Sequence, residues 1–175
     1  MKKWGLWKIP VYGIMILLAF LLQSSFFSYF TLADVVPNLL LILTVSVSLI
    51  CGSRDGCIVG CLCGLLVDMT YGPYLGLYAL GYLTIGYAAG FATRLFYKED
   101  ITYPIIIITL ADVMYGFYMY VVCFLIRGRL DLLFYIRRII LPEAAYTAII
   151  AIFLYRLNLV LLTKLDSKGS ENLIV

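Results

Sequence analysis

The 175-residue chain has no histidine, and only 13% of its residues are charged, against roughly 25% in soluble domains. The first absence removes the commonest general base and the commonest metal ligand. No serine or cysteine stands beside a base, and no glycine-rich loop is placed to cradle phosphate, so no catalytic constellation can be assembled. An enzyme is not expected, and no cofactor is implied. Cys51, Cys57, Cys61, Cys63 and Cys123 lie in or beside apolar segments, where thiols serve as packing residues. Without a histidine or a second cysteine pair to join Cys61 and Cys63, a closed four-ligand metal site is not expected either. A net charge of +3 with no basic tract excludes the clustered cationic face that nucleic acid requires.

What the chain does have is apolar length. Hydrophobic residues make up 64% of it, and its mean hydropathy is +1.03. These values and several long apolar runs describe an integral membrane protein whose first partner is lipid. The opening run, Ile9 to Phe30, carries no charge over 22 residues. A signal peptide's apolar core is about 7 to 15 residues and ends at a small-residue cleavage site, so this run is expected to stay as a helix.

Six segments reach spanning length, at about 9–30, 35–51, 56–71, 74–95, 101–126 and 139–162. The expected fold is all-α: one transmembrane domain, 1–165, followed by a short cytoplasmic tail, 166–175. Glycine, proline and charge punctuate the joints, at Asp34 with Pro37, Gly52 to Asp55, Gly72-Pro73, Lys98 to Asp100, and Arg127 to Asp131. With the N-terminus inside, nine of the thirteen Lys and Arg residues fall on the cytoplasmic side. The remaining four, Arg127, Arg129, Arg137 and Arg138, flank an apolar stretch expected to lie at the outer interface. Both termini then face the cytoplasm.

Within this frame the third segment stands out. In "CGSRDGCIVGCLCGLLVDMTYGPYLG", every fourth residue from Gly52 is glycine (Gly52, Gly56, Gly60, Gly64, Gly72, Gly76), with Asp68 the one interruption. Lipid gives helices little hydrophobic reason to associate, so close backbone approach through small residues takes over. Gly52, Gly56, Gly60 and Gly64 read as a packing face, and Gly86 and Gly90 on the fourth segment as its match. That face either packs helices within the chain or receives a partner. Gly72-Pro73 and Gly76 read as the tight turn between the two. Three acids lie inside apolar helices, Asp68, Asp112 and Glu143. Each costs at least about 2.5 kcal/mol when centrally placed in a bilayer and is therefore a functional candidate. They are expected to form one polar patch opening outward, helped by the tyrosines of "YGPYLGLYALGYLTIGY" and "YGFYMYVV". Asp68 also suits a structural role, bonding backbone freed at the turn.

"PNLLLILTVSVSL" (Pro37 to Leu49) followed by "GCIVGCLCGLLVDMTYGPYLGLYALGYLTIGYAAG" (Gly56 to Gly90) resembles the rod shape-determining protein MreD family. The shared pattern is a Pro-Asn-Leu helix start, then G-x-x-x-G-L-x-x-D, a short turn, and a later Gly-Tyr. The matching residues are Pro37, Asn38, Gly60, Gly64, Asp68, Gly72, Gly76 and Gly86. The resemblance implies a multi-pass protein of the bacterial cytoplasmic (inner) membrane. It implies work beside MreC, in machinery coupling MreB to RodA and a class B penicillin-binding protein. It also implies a six-helix fold similar to the substrate-binding subunits of energy-coupling-factor transporters.

Two functions fit. One is a non-enzymatic scaffold of cell elongation; the other is the solute-binding membrane subunit of a vitamin transporter. Such a subunit presents small residues four apart on its first helix, whereas "VYGIMILLAFLLQSSFFSYF" is bulky almost throughout. The scaffold is the leading expectation.

Overall fold

The computed structural model describes residues 8–27, 29, 35–72, 75–92, 102–122 and 132–171. Among them the chain is all-helical, and six helices account for the architecture. They are α1 (Lys8–Leu21, continued by a π-helical stretch Leu22–Phe26), α2 (Leu39–Cys51), α3 (Ser53–Tyr71), α4 (Leu77–Ala92) and α5 (Thr102–Tyr120). The sixth, α6, joins Leu132–Tyr135, a π-helical stretch Ile136–Ile140 and Leu141–Glu171 without a break.

α2 is the axis of the molecule. Its ten residues from Leu39 to Ser48 are all buried, polar Thr44, Ser46 and Ser48 included. A helix that is apolar all round belongs in a core, and this one packs against α1, α3, α4, α5 and α6. Its thirteen residues rise only about 20 Å, short of a bilayer's roughly 30 Å core. Thr44 and Ser46 return their hydroxyls to the carbonyls of Leu40 (2.8 Å) and Ile42 (2.6 Å), so no hydroxyl of theirs is stranded.

The surrounding helices turn one narrow stripe inward. On α1 that stripe is Tyr12, Ile16 and Ala19, and on α6 it includes Ala144, Thr147, Ala151, Tyr155 and Asn158. Their outer faces are equally apolar: Ile14, Leu17 and Leu21 on α1, Ile106, Leu110 and Phe117 on α5, Phe153 and Leu157 on α6 are exposed. Apart from Arg156 on α6, an apolar surface of this kind suits lipid. Two helices, Thr102–Tyr120 and Leu132–Thr163, are long and apolar enough to cross a membrane on their own.

Several boundaries differ from expectation, α2 among them, which begins at Leu39 rather than near 35. α3 begins at Ser53 rather than near 56, so Arg54 and Asp55 belong to its first turn and not to a loop. Gly52, at φ 107°, makes the sharp joint with α2 that only glycine adopts without strain. α6 begins at Leu132, so the apolar stretch read as an interfacial segment is in part the first turns of that helix. Pro142 does not stop it. The Leu141 N–H already bonds to the Ile136 carbonyl five residues back, shifting the ladder before proline removes a donor. At the other end α6 runs on to Glu171, so most of the expected tail is helical. Arg127, Arg129 and Cys123 lie outside the described residues.

Candidate functional site

α3 and α4 form the most extensive helix pair in the molecule, and the glycines explain why. A Cβ on Gly64 would strike the backbone of Ala79 and Tyr78, and one on Gly60 the Tyr82 carbonyl. On the other helix, a Cβ on Gly86 would meet the Gly56 carbonyl, and one on Gly90 would meet Ser53. These pairings step down α3 as they step up α4, an antiparallel register held by backbone-to-backbone contact. Four residues overshoot one helical turn by about 40°, so a ridge of this spacing rotates as it descends. Gly56 accordingly faces Ser48 of α2, Gly60 sits over both Thr44 and Tyr82, and Gly64 faces α4 alone. Gly52 leaves the ridge: a Cβ there would meet open space. Ser48 Oγ, in the groove so formed, donates to the Gly86 carbonyl.

Asp68 closes the same pair at its far end. Its Oδ2 accepts the N–H groups of Gly76 (3.0 Å) and Ala79 (2.9 Å), and its Oδ1 accepts that of Tyr78 (3.0 Å). These are donors that the start of a helix leaves without intrahelical partners, here the start of α4, and the carboxylate answers them from the neighbouring helix. Gly76, at φ 104°, swings the chain into that geometry. Gly72 ends α3, its N–H bonded to the Asp68 carbonyl at 3.1 Å.

Asp112 and Glu143 lie elsewhere, around Asn38. Asn38 caps α2 by accepting the Leu41 N–H at 3.1 Å, and the same Oδ1 accepts the Tyr82 hydroxyl at 2.6 Å. Its own backbone N–H donates to Thr147 Oγ1 at 3.2 Å. One residue thus ties α2, α4 and α6 together, directly after the buried Pro37. Asp112 of α5 sits against Thr147 and Asn38 and is only 3% exposed. Both of its carboxylate oxygens are buried without hydrogen-bond geometry to any described residue. Glu143 is within electrostatic range of Asp112. Arg137 and Arg138 do not reach it; they are exposed on the π-helical stretch beside Leu133 and Phe134. The structure therefore groups Asp112 with Glu143 and engages Asp68 separately.

Above Asn38 the helices part around a cavity of about 240 Å³. Tyr71, Tyr78, Tyr82, Tyr115 and Tyr135 line it, with Gln23, Asn38 and Glu143 as the remaining polar groups. The Tyr82 and Tyr115 rings are 4.9 Å apart at 59°, and Gln23 Oε1 accepts the Leu40 N–H at 3.2 Å.

Sequence reading missed two members of this machinery. Asp55 is buried, its Oδ2 accepting the Tyr12 hydroxyl at 3.0 Å and linking α1 to α3. Its neighbours Arg54 and Ser53 made it look like loop. Thr147 gave no signal beyond its spacing of four from Glu143.

The family model of rod shape-determining protein MreD matches residues 4–165. The chain belongs to the MreD family. Membership makes it a membrane protein with a role in rod shape determination, involved with the shape-determining machinery, in a family of structural character not known for enzymatic activity. No curated protein and no solved structure gives a significant match. In this MreD-family chain the Pro-Asn-Leu start is the cap of the central helix, and the four-residue glycine spacing is the α3–α4 seam.

Proposed function

We propose that the chain is a non-enzymatic scaffold of the cell-elongation machinery in the bacterial inner membrane. On this reading it binds MreC, and through it helps couple MreB to RodA and a class B penicillin-binding protein. The observation that carries the proposal is the family match over nearly the whole chain. All six helices cross the bilayer on this reading, the short α2 and α4 being accommodated inside the bundle, and both termini are cytoplasmic.

The packing supports a scaffold in a specific way. With the α3–α4 seam closed backbone to backbone, the glycines hold the scaffold's shape, and partners meet the outer faces of α1, α5 and α6. From Leu132 to Thr163 alone α6 has 32 residues, about 48 Å of helix against a core of roughly 30 Å. It therefore stands out of the bilayer, and Lys164 and Lys168 on its extension suit the cytoplasmic side.

The test is replacement of the native MreD-family protein in a rod-shaped host by this chain carrying an affinity tag. Restored rod width and recovery of MreC with the tagged chain are expected. Round cells together with a well-inserted chain that never recovers MreC would overturn the scaffold reading.

A further inference from the structure

The cavity has a composition that the scaffold reading does not use. Among the described residues it is walled by aromatic rings, Glu143 is its one charged lining residue, and no Lys or Arg contributes to it. Asp112 lies one helical turn from Tyr115 and Gly116, both of which line the cavity, and beside Asn38, which does too. It is buried, with the Thr147 and Asn38 side chains beside its carboxylate but neither oxygen in full hydrogen-bond geometry. Ionised carboxylates in such a place are costly without a counter-charge, and a positive charge seated in the cavity would remove that cost. Aromatic faces carry partial negative charge and attract a cation seated among them, most strongly once it is desolvated.

We propose that this cavity binds a small organic ammonium group, with Glu143 as its counter-ion and the tyrosine rings as its walls. Size agrees: a dry cavity of about 150 Å³ takes benzene, so about 240 Å³ holds a headgroup-sized cation and little more. Access is through Tyr71, 65% exposed at the rim, where its ring stands 6.3 Å from that of Phe20. The same ammonium chemistry is offered by a free amine and by the headgroup of an aminophospholipid. The inference is independent of MreC binding, since a cation site can exist on a scaffold or without one.

The full chain, reconstituted in nanodiscs of phosphatidylglycerol alone, tests it by titration with tetramethylammonium. Calorimetric binding and the thermal midpoint are followed, with sodium chloride at equal ionic strength and tert-butanol, a neutral molecule of similar size, as references. A saturable response to the cation, absent from both references, is expected. Glu143→Gln should weaken it at least about tenfold, because a charge partner inside the cavity is lost. Tyr71→Leu, at an exposed rim where folding is not at stake, should weaken it about threefold. Repeating the titration with phosphatidylethanolamine in the discs separates the two sources: competition assigns the lipid headgroup, and an unchanged isotherm assigns a free amine. The proposal fails if the folded chain shows no saturable response in phosphatidylglycerol discs, or responds equally to tert-butanol. It fails equally if Tyr71→Leu and a folded Glu143→Gln both bind with unchanged affinity.

Discussion

Asp68 and Asp112 are equally buried, at 3% exposure, in neighbouring parts of one helical bundle, yet their surroundings are opposite. Around Asp68 three backbone N–H groups converge within 3.0 Å. Around Asp112 the Thr147 and Asn38 side chains stand close, but neither carboxylate oxygen meets full hydrogen-bond geometry with a described residue. The first belongs to the α3–α4 seam, where backbones touch and nothing can move without breaking contact. The second belongs to the α5–α6 side, beside a cavity that all six helices line and near a π-helical turn that interrupts the ladder. One acid is a fastener, and the other makes no comparable set of bonds.

The sharpest way to break this contrast is to force a side chain into the seam. Gly64→Leu would drive carbon into the Ala79 and Tyr78 backbone, which cannot yield as a flexible side chain would. Overpacking typically costs about 1 to 3 kcal/mol, and the upper end is expected where backbone must yield, enough to deplete the folded chain in membranes. Membrane level and denaturant unfolding in mild detergent provide the measurement, with Gly13→Leu as control because a Cβ there meets nothing within 4 Å. Equal levels and midpoints for the two variants would show that the seam is not closed.

The two acids differ next. Asp68→Ala removes the partner of three N–H groups at the start of α4, a loss of about 2 to 4 kcal/mol. Asp68→Asn should fall between it and the parent, since one amide oxygen retains at most two of the three bonds and the NH2 group opposes the third donor. Asp112→Asn removes an unpartnered buried carboxylate and should leave stability unchanged or raised by about 1 kcal/mol. If Asp112→Asn destabilised the fold as much as Asp68→Ala, the distinction between fastener and free acid would be lost.

How much of this was legible in the sequence follows from the same contrast. The seam was readable because it is periodic: glycine every fourth residue is a local pattern, and its match at Gly86 and Gly90 has the same spacing. Asp68 was visible as an acid near a turn, although the donors it meets begin at Gly76 and not at Gly72-Pro73. The partition of the acids was not legible, because it depends on which helices adjoin, and Asp112, Asn38 and Thr147 are far apart in sequence. Asp55 was hidden for another reason: a charge next to Arg54 reads as loop until the helix is known to start at Ser53. The early start of α6 escaped because Arg137 and Arg138 read as the end of an interfacial loop, and a π-helical turn that shifts the ladder by one residue leaves no mark in hydropathy.

The finest test concerns the hydrogen bond that joins the two regions. The Tyr82 hydroxyl runs from α4, the seam helix, to Asn38 at the head of α2, 2.6 Å away, and Asn38 in turn meets Thr147 on the α6 side. Tyr82→Phe deletes that bond while leaving the ring against Tyr115. Side-chain hydrogen bonds inside membrane proteins average about 0.6 kcal/mol, so the expected loss of stability is small, below that of any seam variant. Its diagnostic value lies in what else changes. Asn38 keeps its cap on Leu41, so α2 stays anchored, whereas the cavity wall formed by Tyr82 and Tyr115 loses its fixed link to α2. Slightly lowered stability with faster hydrogen exchange at the Asn38 end of α2, and unchanged exchange along Gly56 to Gly64, is the expected pattern; faster exchange along the glycines as well would mean that the seam leans on this bond and does not stand by backbone contact alone.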